Sequence, residues 1–125
     1  MTRIATFDKA IEAKAQGLKV EGLNATAFSA YRKSLEVGND HIDFSEVIWD
    51  ADIPAIIQVF RENGITEFTI SSTFSSLIST LAKFGELGCE LGGLAEVTAP
   101  YTDFRTGKPA RVPAIRITLH DKEGC

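Results

Sequence analysis

Residues 52–71, "DIPAIIQVFRENGITEFTIS", constrain the fold most strongly because they hold a helix, its stop signal and a strand in succession. Asp52 is placed as a cap, Pro54 fits the first helical turn, and Asn63-Gly64 is a helix end. Apolar residues recur at the helical period in the first part, at Ile53, Ile56, Ile57 and Phe60. Alternating apolar and polar residues over positions 65–71 then predict a half-buried strand.

The flanking sequence extends this pattern into a single domain of 125 residues. Two helices are predicted within residues 1–38, the second beginning after Asn24, and an α/β core within residues 41–120. The predicted order is α-α-β-α-β-α-β-β, with its weakest strand at residues 43–49. We therefore expect an α/β or α+β fold. It would be a small mixed sheet of three to four strands, with a C-terminal antiparallel hairpin and helices packed on it.

Charge and composition narrow the classes of function. The net charge of −4 disfavours general nucleic-acid binding, no apolar run can span a bilayer, and the first residues do not resemble a signal peptide. We therefore predict a cytoplasmic protein that does not contact membranes. Cys89 and the terminal Cys125 are expected to be reduced thiols, and no Cys/His spacing predicts zinc.

Residues 69–80, "TISSTFSSLIST", are the best candidate for a small-ligand site because eight of these twelve residues are Ser or Thr. A helix start after a strand offers free N–H groups to a phosphate or nucleotide, here with Ser71, Ser72, Thr73 and Ser75. The stretch lacks glycine and a nearby base, so the alternative is a helix capped by Ser72. In that alternative an unusually uncharged face holds Ser76, Ser79 and Thr80, which is typical of a contact surface.

An acidic segment covers residues 36–52, with six acids and no Lys or Arg. We predict that it forms an interaction surface for a basic partner through Asp43, Glu46, Trp49 and Asp50, with Trp49 as a candidate hot spot or core residue. A metal site is the other interpretation, using His41, Asp43, Asp50 and Asp52, although the spacing fits no known calcium or zinc motif. We predict no metal and no cofactor.

A basic segment covers residues 105–116 and holds no acid. Arg105, Lys108 and Arg111 are candidates for contacts with a partner or with the acidic segment, within one chain or across a dimer. Together with Tyr101 and Phe104 they also suggest single-stranded nucleic acid, a weaker alternative to an exposed hairpin. The residue types of a catalytic triad are present in Cys89, His120 and an Asp, but the sequence contains no nucleophile motif such as GxSxG.

Residues 52–97 resemble a group of small uncharacterised proteins carried on mobile elements of gut bacteria. The resemblance lies in "NGITEFTIS", the Ser-rich helix start and "GCELGGLAEV". It implies an accessory role in host–element conflict or in regulation, and it implies no reaction.

The sequence as a whole predicts a non-enzymatic cytoplasmic binding protein, such as a mobile-element accessory factor or inhibitor, acting on a protein partner or by self-association. The second hypothesis is a phosphate- or nucleotide-binding domain, or an enzyme, that uses the Ser-rich helix start. Nucleic-acid binding through the basic hairpin is the third.

Overall fold

Four helices and four strands follow one another in the predicted order, in a computed structural model that describes residues 3–20 and 23–119. The mixed sheet, the packed helices and the C-terminal antiparallel hairpin are thereby confirmed. The elements are α1 (Ala5–Ala15), α2 (Ala25–Val37), β1 (Asp43–Phe44), α3 (Ile53–Glu62), β2 (Glu67–Ile70), α4 (Leu77–Glu86), β3 (Cys89–Thr102) and β4 (Pro109–Leu119).

The sheet has the strand order β1-β2-β4-β3. The last strand, β4, therefore lies between β2 and β3, and β1 and β3 are the edge strands. β1 and β2 are parallel, as expected of strands joined by a helical crossover, and the other pairs are antiparallel. Asp43 is in register with Thr69, and Thr69 is in register with Arg116. These three residues therefore form one row across β1, β2 and β4 on the same face.

The opposite face of the sheet carries the main core, which centres on Phe68. Its ring centroid lies 5.2 Å from that of Phe60 in α3 and 5.4 Å from that of Phe84 in α4. Phe44 of β1 completes the aromatic group at 5.5 Å. The predicted stripe of α3, Ile53, Ile56, Ile57 and Phe60, is entirely buried, as its period requires.

The N-terminal helices pack through a second aromatic group. Phe7 of α1 lies edge-on to Phe28 and Tyr31 of α2. The buried Tyr31 hydroxyl accepts a hydrogen bond from the Ile4 N–H and donates one to Asp8. This hydrogen bond from Tyr31 lowers the pKa of Asp8, against the opposing effect of burial.

Two predicted boundaries were wrong. The strand over residues 43–49 is only Asp43–Phe44, because the Phe44 carbonyl accepts from both Ser71 and Ser72 and the ladder ends there. Helix α4 begins at Leu77 rather than after Ser72, whose hydroxyl instead donates to the Glu46 carbonyl at 3.0 Å.

The helical spacing over residues 74–81 also predicts a buried Ile78, and this prediction is wrong. Its side chain is 77% exposed, while Leu81 and Phe84 are buried. Leu77 packs against the core one and two turns before Leu81 and Phe84, and Ile78 lies about 100° around the helix from Leu77, outside that face.

The outer half of the β3–β4 hairpin extends beyond β2, which pairs with β4 only over residues 115–118. Asn39, just after α2, holds this half in place. Its side-chain amide donates to the Thr98 carbonyl at 2.9 Å and its Oδ1 accepts from the Thr98 N–H at 2.8 Å. The end of α2 is therefore tied to the hairpin, and Gly38 makes the preceding turn with a φ of 75°.

Asn39→Ala is expected to lower the free energy of unfolding by about 1–3 kcal/mol, because two half-buried hydrogen bonds are lost. Faster hydrogen exchange of the Thr98 amide would accompany the loss and can be followed by NMR. The control is Asn63→Ala, which removes one local bond to the Val59 carbonyl. Unchanged exchange at Thr98 in Asn39→Ala would contradict the role of Asn39.

Candidate functional site

A buried polar network lies where α2, β1 and β2 meet, and it centres on Asp43. The Thr69 and Ser71 hydroxyls each donate to one Asp43 carboxylate oxygen at 2.6 Å. The Asp43 N–H, on the edge of the sheet, donates to the buried Ser34 hydroxyl of α2 at 2.9 Å. Asp43 is only 3% exposed and has no cationic partner among the described residues.

Burial raises the pKa of Asp43 above its ordinary value, because a charge without a counter-ion is poorly solvated there. The hydrogen bonds from Ser71 and Thr69 oppose this effect without cancelling it. A buried carboxyl group with a raised pKa is one of the features that mark functional sites. Asp43 also has a structural role, because its hydrogen bonds join β1 to α2 and β2.

A second feature is a cavity on the side of the sheet that carries Thr69 and Arg116, called here the polar cavity. It has a volume of about 430 Å³ and is enclosed by this sheet face, the end of α2 and the outer half of the hairpin. Its ionisable groups are Asp40, His41, Glu67, Glu96, Arg111 and Arg116.

Most charges of the polar cavity are paired within it. Arg111 contacts Glu96 at 2.9 Å and donates to the Thr98 hydroxyl at 2.6 Å. His41 Nε2 lies 2.9 Å from Glu67 Oε2. Arg116 has no ion pair or hydrogen bond from its side chain within residues 3–20 and 23–119.

The Trp49 surface is formed by Glu46, Val47, Trp49 and Asp50, in the loop between β1 and α3. Val47 and Trp49 point outward while Ile48 between them is buried and anchors the loop. A groove of about 230 Å³ separates this loop from α2, with small side chains such as Ala30 and Ser29 on its α2 side. Lys33 of α2 pairs with Glu46 across it.

The structure thus joins three of the four residues predicted for the acidic interaction surface, namely Glu46, Trp49 and Asp50. Asp43 is a correction, because its register with Thr69 turns its side chain into the network and away from solvent. Asp52 does not cap α3; it accepts hydrogen bonds from Thr26 and Asn24, which ties this loop to the start of α2.

The Ser-rich segment is divided between interior and surface. The hydroxyls of Ser71 and Ser72 are engaged by Asp43 and by the Glu46 carbonyl, whereas Thr73 and Ser75 are exposed. Ser76, just before α4, and Ser79, within it, are exposed near Ile78. Thr80 is a second correction, since it is fully buried and its hydroxyl finds no partner in the described chain.

No ion pair joins the basic segment to the acidic one among the described residues, although Asp40, Arg111 and Arg116 line the polar cavity together. Arg105 and Lys108 are exposed near the hairpin turn, and Arg105 lies 3.8 Å from Asp103. Arg111 lines the polar cavity instead. His120 and Cys125 lie outside the described residues, while Cys89 is buried.

Sequence reasoning missed Asn39, Arg116 and Ser34 as site residues. Arg116 and Thr69 were visible as polar positions of alternating strands, but their juxtaposition depends on the antiparallel register of β2 with β4. No pattern in the sequence signals the pairing of Asn39 with Thr98, which are 59 residues apart.

Neither a metal site nor a membrane span is present in the described residues, 3–20 and 23–119. No group of three or more His, Cys, Asp or Glu side chains there is arranged to hold a metal ion. Within the same residues, no helix has the length and apolarity needed to cross a membrane.

Comparison with known proteins gives one match. The model of a family described as "Domain of unknown function (DUF7698)" matches residues 26–119, which include every strand and all helices except α1 of the described structure. No curated protein and no solved structure matches the chain.

Proposed function

We propose that this chain, which belongs to the DUF7698 family, is a non-enzymatic protein-binding domain that holds a basic segment of its partner on the Trp49 surface. The observation that carries the proposal is the exposure of Trp49, whose side chain is 67% exposed beside a groove. Tryptophan buries a large apolar area on binding and is enriched among the residues that dominate interface energies.

The size and lining of the groove suit a side chain of the partner better than a metabolite. Its volume of about 230 Å³ is below the usual range for small-molecule sites. Phe44 and Val47 give it an apolar side, and the hydroxyls of Thr26 and Ser29 give it hydrogen-bonding groups. This combination suits an apolar anchor residue flanked by peptide groups.

Charge determines which partner fits. Asp50 carries no ion pair in the described structure, and Asp52 is bonded only to neutral groups. Glu46 is paired with Lys33, so the loop retains an excess of negative charge. Lys or Arg beside the anchor residue would be attracted to this excess, mainly through faster association and selection against acidic partners.

Trp49→Ala is expected to weaken binding of such a segment about 30-fold or more, since hot-spot residues contribute about 2 kcal/mol or more. The measurement is selection from a random peptide library on the immobilised chain, followed by titration of the selected peptides. We expect these peptides to combine an apolar anchor with Lys or Arg, and to bind more weakly as salt rises.

The matched control is Phe104→Ala, which removes a fully exposed aromatic ring from the hairpin loop. It should leave peptide affinity unchanged. Selected peptides without basic residues, or equal affinity for the wild type and Trp49→Ala, would contradict the proposal.

The biological setting forms part of the proposal. The resemblance of residues 52–97 to proteins of mobile elements supports the proposal of an accessory factor or inhibitor. Such a protein would bind its partner through an exposed residue such as Trp49.

The other two functions are less well supported by the geometry. A phosphate beside Ser71 would approach the Asp43 carboxylate, and the Ser71 hydroxyl already donates to it. If the chain binds nucleic acid, the contact would be at the hairpin turn, where Arg105, Lys108 and Phe104 are exposed. The net charge of −4 opposes such binding.

A further inference from the structure

The polar cavity is separate from the Trp49 surface and has a different chemistry. Its volume of about 430 Å³ falls within the range of small-molecule sites. Thr69 and Arg116 form part of its sheet side, because they face each other in register across β2 and β4. The Asn39–Thr98 hydrogen bonds hold its outer wall in place.

Two charged groups of the cavity are left without partners by the described structure. Arg116 is one and Asp40 is the other, and they carry opposite charges. Of the other groups, Arg111 is paired with Glu96, and His41 lies within hydrogen-bond distance of Glu67.

The backbone of β3 closes in on Arg116 at a bulge. A Cβ atom added to Gly92 would lie 3.1 Å from the Arg116 Cβ, so the glycine lets the strand pass close to the arginine stem. The register of β3 shifts between Leu91 and Leu94 at the same place. The position of the stem is therefore restricted, while the side chain as a whole remains exposed.

The balance of charge decides the class of ligand. The cavity is lined by three acids, Asp40, Glu67 and Glu96, against two arginines, so a phosphate or nucleotide would meet a net negative lining. A guanidinium binds a carboxylate through two parallel hydrogen bonds, and a carboxylate such as Asp40 accepts from an ammonium group.

We propose that the polar cavity binds a small zwitterion of the amino-acid type, with its carboxylate on Arg116 and its ammonium group on Asp40. Thr69, whose hydroxyl donates to Asp43, lines the same cavity as Arg116 of the sheet and Asp40 after the end of α2. This inference is independent of the proposed protein binding, because none of these residues belongs to the Trp49 surface.

The experiment titrates the ¹⁵N-labelled full chain with each standard amino acid in turn, and follows backbone amide shifts and the heat of binding. Acetate, methylammonium and inorganic phosphate are the comparison probes. We expect at least one amino acid to shift the amides around Thr69 and Arg116. Acetate and methylammonium, each of which satisfies only one charged group, should bind at least about tenfold more weakly.

Arg116→Gln and Asp40→Asn should each weaken binding of that amino acid about tenfold or more. Arg105→Gln, at the exposed hairpin turn, is the matched control and should change nothing. The amide spectrum of each variant shows whether it is folded. The proposal is overturned if no amino acid shifts these amides, if phosphate binds more tightly than every amino acid, or if the folded Arg116→Gln variant binds as the wild type does.

Discussion

Phe68→Ala is expected to lower the free energy of unfolding by about 3–5 kcal/mol, the usual range for removing a buried phenyl ring. Phe68 is fully buried and its ring is in contact range of three others, from β1, α3 and α4. The vacated space lies between the sheet and both covering helices, so no single neighbour can move to fill it. Urea denaturation followed by circular dichroism measures the loss.

Two further variants make the Phe68 measurement specific. Phe68→Leu keeps much of the apolar volume and should cost clearly less than the alanine variant. Phe104→Ala removes a fully exposed ring and should stay within about 0.5 kcal/mol of the wild type. Equal losses for Phe68→Ala and Phe104→Ala would show that the aromatic core is not assembled as described.

The elements of this core could be predicted because each depends on local periodicity. All four apolar positions predicted for α3 are buried, and Gly64 ends that helix with a φ of 71°. The hairpin strands were likewise visible from alternation, as Ile117 and Leu119 are buried and Arg116 is exposed. Local spacing fixes such choices before any long-range contact forms.

The errors lie where long-range contacts override local propensity. Ser72 is a good cap by residue type, yet the Glu46 carbonyl, 26 residues away, takes its hydroxyl and the helix starts five residues later at Leu77. Asp43 is a charged residue in an acidic segment, which predicts a surface position. In the folded chain it is surrounded by Ser34, Thr69 and Ser71. The polar cavity depends on the same kind of information, because the hairpin must reach Asn39 to enclose it.

β1 connects the two candidate sites although it is only two residues long. Phe44 lines the groove beside Trp49, and the preceding Asp43 bonds to Thr69, which lines the polar cavity. A change at Asp43 therefore acts on the junction of both sites. Its protonation is the most direct way to probe that junction.

Asp43→Asn is expected to gain stability relative to the wild type as the pH rises from about 4 to 7. Burial raises the pKa of Asp43 in the folded protein above its ordinary value of 3.8. The folded state thus holds this proton more tightly than the unfolded chain does, so the contribution of Asp43 to stability is complete below pH 3.8 and decreases as the pH rises through the raised pKa. Asparagine cannot ionise, and its amide can accept from one of the Thr69 and Ser71 hydroxyls and donate to the other.

The difference in unfolding free energy between Asp43→Asn and the wild type, measured by urea denaturation across this pH range, should grow by about 1.4 kcal/mol for each unit by which the pKa is raised. Asp43→Ala supplies the contrast at pH 4, where it should cost about 2–4 kcal/mol because the buried Thr69 hydroxyl and the half-buried Ser71 hydroxyl lose their acceptor. Phe104→Ala is the control, since Phe104 is exposed and neither side chain ionises, so its difference from the wild type should not vary with pH. A pH-independent difference for Asp43→Asn would mean that Asp43 ionises as an ordinary surface carboxyl. The network would then be open to solvent, and Asp43 would have to be returned to the acidic surface where its sequence context placed it.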